Sequence, residues 1–134
     1  MAKVRECLRI SQGANDVLSA LAYLQGLNFL NTVLIGTSFG GACSLVATSK
    51  SQHVKKLLLR SPVADIYTRE LLIRSKEDIH RWKADGARTF MNFNGSKSLR
   101  LKYSYIEDAK QINGLQAAGK IHITTHIVHG DVYL

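Results

Sequence analysis

Between Asn15 and Gly26 the apolar residues fall at Val17, Leu18, Leu21 and Leu24, a spacing that predicts an amphipathic helix. Asn15 suits its N-cap and Gly26 its stop. At Thr32 the pattern changes to an unbroken run, Thr32-Val33-Leu34-Ile35, which predicts a strand over 32–36. A stretch of small residues predicts a helix from about 39 to 49. Val54 to Leu59, with Leu57-Leu58-Leu59 at its centre, predicts a buried parallel strand, closed by Ser61 and the chain's only proline, Pro62. Helix, strand, helix, strand with short connections implies an α/β fold built on parallel strands.

The rhythm breaks after residue 62. Glu70 to Ser75 and Lys76 to Asp85 read as two helical pieces, the second stopped by Gly86. Thr89 to Phe93 and Leu99 to Tyr103 flank Asn94-Gly95, the dipeptide favoured in tight hairpin turns. A further helix is expected over Tyr105 to Ile112, and a sheet pattern resumes over Ile121 to Val128. The chain therefore divides into a core α/β segment at 1–62, a cap-like insertion at 63–118 and a return to a core strand at 119–134.

Composition narrows the class. A length of 134 residues suits one domain, and 46% apolar with 21% charged residues suits a globular core with a solvated surface. No apolar run reaches the length of a membrane span, and the start, MAKVRECLRIS, lacks the apolar core of a signal peptide. Cys7 and Cys43 do not make a disulfide framework; Cys43 reads as a small core residue, and a cytoplasmic location is expected. The formal charge of +8 raises nucleic acid as a partner. Its lysines and arginines are scattered, however, and interrupted by Glu70, Glu77, Asp78 and Asp85, with no RNA-binding aromatic signature or helix-turn-helix pattern. No nucleic-acid partner is expected.

The candidate chemistry sits where the first strand meets the second helix. Gly36-Thr37-Ser38-Phe39-Gly40 is a G-x-S-x-G sequence in the context of strand, sharp turn and helix. A serine on such a turn has its hydroxyl pushed clear of the sheet. Gly36 and Gly40 on either side would let the strand and helix backbones approach where a Cβ would clash. The Phe39 N–H, at a helix start, could hold a developing oxyanion. Ser38 is the candidate nucleophile.

Two later strand ends accompany this turn, Leu59-Arg60-Ser61-Pro62 and Val128-His129-Gly130-Asp131-Val132-Tyr133. From about residue 14 to 131 the chain resembles an α/β-hydrolase, closest to the serine esterases, lipases and acyl-peptidases. The resemblance implies a partial α/β-hydrolase core of parallel strands with a helical and hairpin cap insertion. It further implies cleavage of ester, thioester or amide bonds through an acyl-enzyme on Ser38, with a small acyl or peptide substrate and no metal or organic cofactor.

The departures from that pattern are specific. The family's acid lies two residues after the position matched by Asp131, where this chain has Tyr133, and the family's downstream histidine has no counterpart. The segment before residue 14 is too short for the strands and loop that supply the second oxyanion donor. The chain thus reads as the middle of an α/β-hydrolase without its two ends, with little or no activity by itself. A non-catalytic binding or interaction module and a fragment of a longer enzyme stand as alternatives.

Among the histidines, His53 precedes a strand and His80 falls in the cap-like segment. His122 and His126 would share one strand face roughly 13 Å apart, too far for one metal ion. His129 and Asp131, at a strand's carboxyl end, are the remaining candidates for base and acid. Lastly, Thr32 to Ile35 would lack a neighbour on one side, and such an apolar edge favours self-association.

Overall fold

Strands β1 (Thr32–Thr37), β2 (Val54–Arg60) and β5 (Thr124–Val128) form a parallel sheet in the order β1-β2-β5. The computed structural model describes residues 8–91, 95 and 98–131. Helix α2 (Phe39–Thr48) packs on one face of the sheet, and α1 (Ile10–Gly26) packs on α2. Between β2 and β5 come α3 (Ile66–Ile73), α4 (Lys76–Asp85), β3 (Ala87–Met91), β4 (Ser98–Lys102), α5 (Ser104–Gln111) and α6 (Gly114–Ala118). The fold is mixed α/β, as the pattern of elements implied. Among the described residues no helix is long and apolar enough to cross a membrane.

Register assigns the side chains to faces. Leu34 lies beside Leu57, Gly36 beside Leu59, and Leu59 beside Ile127; Ile35 lies beside Leu58, and Leu58 beside His126. Because successive Cβ atoms alternate, the first group faces one way and the second the other. α2 covers the first face, with Ala42, Leu45 and Val46 in one core with Leu57 and Leu59. Every residue of α2 from Gly41 to Thr48 is buried, because α1 and α6 pack on it from outside the sheet. Its small side chains permit this. A Cβ on Gly13 of α1 would stand 2.5 Å from the Cys43 sulfur of α2, so the helices meet at van der Waals contact.

A second core lies under α4, β3 and β4, around Trp82, Leu101, Tyr103 and Ile106. The Trp82 indole N–H donates to the Leu101 carbonyl at 3.0 Å, and Phe90 meets its ring edge-on at 5.3 Å. β3 and β4 are antiparallel, as the hairpin reading required; Asn94 lies outside the described residues, and Gly95 takes φ +65°. Glu70 is buried but paired, to Arg74 at 2.5 Å and Arg69 at 2.8 Å. Arg74 also lies over the Phe90 ring at 4.7 Å, tying α3 to the aromatic cluster.

Several boundaries differ from expectation. α1 starts at Ile10, five residues before Asn15, which is exposed in mid-helix. Its first turn is capped from outside. The Asp108 carboxylate of α5 accepts the Ser11 backbone N–H at 3.0 Å and also its hydroxyl. Gly26 does end α1, but the left-handed residue of the following turn is Asn28, φ +67°. α3 starts at Ile66 because Asp65 accepts the Thr68 N–H at 3.0 Å, a bond that holds the Asp65 carboxyl below its usual range. α6 was not anticipated; Asn113 caps it, accepting the Leu115 N–H at 2.7 Å. β5 begins at Thr124, so His122 precedes the strand and the shared face expected for His122 and His126 does not form.

Candidate functional site

At the carboxyl end of the sheet, β1 runs directly into α2 through Ser38. Ser38 has φ +52° and ψ −119°, outside the regions an L-residue favours, and its side chain makes no capping bond to the helix it precedes. The residue is exposed. Three backbone bonds fix it: its N–H donates to Arg60 O at 3.1 Å, and its carbonyl accepts from Gly41 N–H at 3.0 Å and Val63 N–H at 3.2 Å. The strain is held in place by the neighbouring strand end and by the helix.

The turn is tight where the glycines stand, although not at the pair the sequence suggested. A Cβ on Gly36 would lie 2.5 Å from Ser44 Oγ and 2.9 Å from both Gly40 O and Gly41 Cα. A Cβ on Gly40 would meet nothing within 4 Å. The close approach falls instead on Gly41, whose Cβ would stand 2.7 Å from Pro62 Cβ. Gly40 lies one residue round the helix from this contact, and Gly41 faces the β2 strand end. Pro62 thereby acquires a role in the turn: it is the surface against which α2 begins.

Phe39 opens α2, and its ring packs against Tyr105 with centroids 6.3 Å apart. Among the described residues the Phe39 N–H has no backbone acceptor, as is usual for the first N–H of a helix. Two other ionisable groups nearby stay protonated at neutral pH. Burial, then Glu70, pushes the Tyr105 hydroxyl up to about 12, and burial, then Asp108 and Asp16, pushes the Cys43 thiol up to about 11. Cys43 is not a rival nucleophile to Ser38.

The three strand ends stand in a row. Thr37 pairs with Arg60 and Arg60 with Val128, so Ser38, Ser61 and His129 each follow one member of it. The Ser61 N–H donates to Val128 O at 2.8 Å, and Ser61 has φ +43°. The structure thus brings His129 and Asp131 to the same end of the sheet as Ser38, as the parallel order required. β2 intervenes, however, so Ser38 and His129 are separated at Cα by two strand spacings, about 10 Å. His129 Nδ1 also lies 2.9 Å from its neighbour's carbonyl, Gly130 O. His53 is at the opposite end of β2, and His80 is exposed on α4. Sequence reading missed Gly41, Pro62 and Ser61 as parts of this turn; a second glycine in tandem and a proline after a strand were the available signals.

The fold is mixed α/β with a parallel sheet, and Ser38 is a strained, exposed residue on its first strand-to-helix turn. No family model matches the sequence, and no curated protein matches it. Among solved structures, the fold is similar to one described as "Putative hydrolase from Agrobacterium vitis S4", with a TM-score of 0.64 and 14% identity over 90% of this chain. The chain spans 60% of that protein's length.

Proposed function

We infer that this chain carries the nucleophile half of a serine hydrolase site of the α/β-hydrolase type. The observation that carries the reading is the backbone of Ser38, held at φ +52° between a parallel strand and a helix, with Gly36 and Gly41 packed too closely for any side chain. A left-handed, non-glycine residue at this place costs stability, and nucleophilic catalysis gives a reason to keep it. The likeness of the fold to a protein described as a hydrolase supports the same reading.

In this mechanism the Ser38 hydroxyl attacks the carbonyl carbon of an ester, thioester or amide. The C–O bond to serine forms, the carbonyl oxygen takes up negative charge, and the Phe39 N–H stabilises it. Collapse expels the alcohol, thiol or amine and leaves an acyl group on Ser38, which water then removes. A base must accept the serine proton. Among the described residues His129 and Asp131 follow β5 at that end of the sheet, and β2 separates His129 from Ser38. The described residues therefore acylate slowly and turn over poorly. The substrate is a small acyl or peptide compound, the segment 63–118 acts as a cap over the site, and no metal or organic cofactor takes part.

An activated ester such as p-nitrophenyl acetate tests this. Mass spectrometry is expected to find the acyl group on Ser38 and to lose it in Ser38→Ala. Modification spread over surface lysines, identical in Ser38→Ala, sinks the reading. Rapid turnover abolished by His129→Ala would make His129 the base and the chain a complete enzyme.

The second reading, a non-catalytic binding or interaction module, is favoured by the separation of Ser38 from His129 and by the engagement of His129 Nδ1 with Gly130 O. Absence of any Ser38 acylation would select it.

A further inference from the structure

A cleft lies at the opposite end of the sheet from Ser38. The last turn of α2, the turn into β2 and the segment leading into β5 wall it, with residues between Thr48 and Lys55 and between Lys120 and Ile123. Its volume is about 490 Å³, the size of a site for a small organic molecule. All of these walls are interior segments of the chain. Both ends of the described chain lie at the Ser38 end instead: Gly13, near the start of α1, stands beside the Phe39 ring, and Asp131 follows the carboxyl end of β5.

The charge of the cleft is one-sided. Lys50, Lys55 and Lys120 stand on its walls, and among the described residues no aspartate or glutamate lines it. The wall segments have none to offer, since the sequence holds no carboxylate side chain between Asp16 and Asp65 or between Asp108 and Asp131. A cation at the end of α2 serves the helix dipole, equivalent to about half a negative charge, but that accounts for Lys50 alone. Lys55 and Lys120 are carried by other elements. Like charges around one hollow repel unless an anion joins them.

Two hydroxyls add to the donors. Thr48 is 6% exposed, and its Oγ1 has no hydrogen-bond partner among the described residues, a costly state for a buried hydroxyl. A hydroxyl at a helix end can bond back to a carbonyl one turn earlier, as Ser49 does to Val46 O at 2.8 Å; Thr48 does not. Ser51 Oγ accepts the His53 N–H at 3.2 Å, which leaves its own proton to donate. The floor is apolar, with the half-buried Ile121 and Ile123 packed on the main core.

We propose that this cleft binds a phosphate monoester of a small organic molecule. The phosphate takes the three ammonium groups and the Thr48 and Ser51 hydroxyls, and the organic body lies on Ile121 and Ile123. A group carrying close to two negative charges and three acceptor oxygens matches this donor set better than a carboxylate does, and lysine holds phosphate as a point charge. The length of β2, roughly 20 Å, separates the cleft from Ser38, so the two sites are distinct.

The full chain is titrated with phenyl phosphate, inorganic phosphate and phenol, with affinity read by calorimetry and location by amide shifts in nuclear magnetic resonance. Phenyl phosphate is expected to bind about tenfold more tightly than phosphate, and phenol not detectably, with shifts centred on 48–55 and 120–123. Lys50→Gln and Lys120→Gln each weaken binding by about fivefold, and Thr48→Val by about threefold. Lys102→Gln, the same charge change on β4, leaves it unaltered. The lysines are exposed and Thr48→Val keeps the side chain's shape, so these variants fold; the located shifts of the unaltered chain stand without them. No binding at millimolar phenyl phosphate overturns the proposal. Shifts spread over the surface, with Lys102→Gln as harmful as Lys120→Gln, overturn it in favour of general attraction to a chain of +8. Phenol binding as tightly as phenyl phosphate overturns it too, leaving only an apolar hollow, and phosphate binding as tightly as phenyl phosphate removes the organic body and with it the monoester.

Discussion

The two faces of the three-stranded sheet are built from similar side chains and meet opposite surroundings. On β2, Leu57 and Leu59 are 0% and 2% exposed under α2, while Leu58 between them is 37% exposed. On β1 the alternation repeats, with Leu34 packed on the core and Ile35 in the open. Strands of a parallel sheet are ordinarily apolar on both faces because both are covered. Here the composition of the strands prepares both faces for burial, and the described residues cover only one. The energetic weight of the described residues therefore lies on one side of the sheet.

The largest expected effect separates the two faces directly. Leu57→Ala should destabilise by about 3–4 kcal/mol in denaturant unfolding, and Leu58→Ala by less than about 1 kcal/mol. Equal losses at both positions would show that the open face is covered in solution, and the comparison would fail.

Gly36 sharpens the covered side further. Gly36→Ala drives a Cβ to 2.5 Å from Ser44 Oγ and against α2 backbone, and should cost about 3 kcal/mol. Gly40→Ala, with open space around it, should be neutral or stabilising by up to about 1 kcal/mol through helix propensity. A reversed order would mean that the turn packs through Gly40 after all.

The covered face also predicts an alkaline limit. The Cys43 thiol, ordinarily near 9.0, is raised to about 11 by its burial under α1. The native state thus holds this proton where the unfolded chain releases it. The stability contributed is fully present below pH 9 and is lost as pH rises through about 11, a change of roughly 2–3 kcal/mol. Cys43→Ala should remove that part of the decline. An unchanged pH dependence between 9 and 11 would show that the thiol titrates as if exposed.

The smallest effect concerns the junction between the faces. Ser38→Gly should stabilise by about 1 kcal/mol, because glycine takes a positive φ without strain, while removing any acylation. A loss of stability instead would mean that the hydroxyl makes a compensating bond.

What could be read from the sequence was what short stretches decide by themselves. Thr32–Thr37 and Val54–Arg60 read as strands because their apolar runs are short and bounded by turn residues, and the turn into α2 is announced by Gly36 before Ser38. Asp65 and Asn113 carried their capping signals too, but helices as short as α6 leave too few residues for a period to register.

Other features belonged to the tertiary structure. The start of α1 at Ile10 depends on the carboxylate of Asp108, ninety-seven residues from Ser11 in the chain, which no local pattern can announce. The choice of Gly41 over Gly40 as the crowded glycine depends on where Pro62 arrives from β2. The distance from Ser38 to His129 depends on strand order, since placing β2 between β1 and β5 puts a whole strand between the two residues. The sequence by itself determined which residues can turn, cap and bury. Only the packing of distant segments decided which of them meet, because contacts across a sheet are set by register and order and not by separation along the chain.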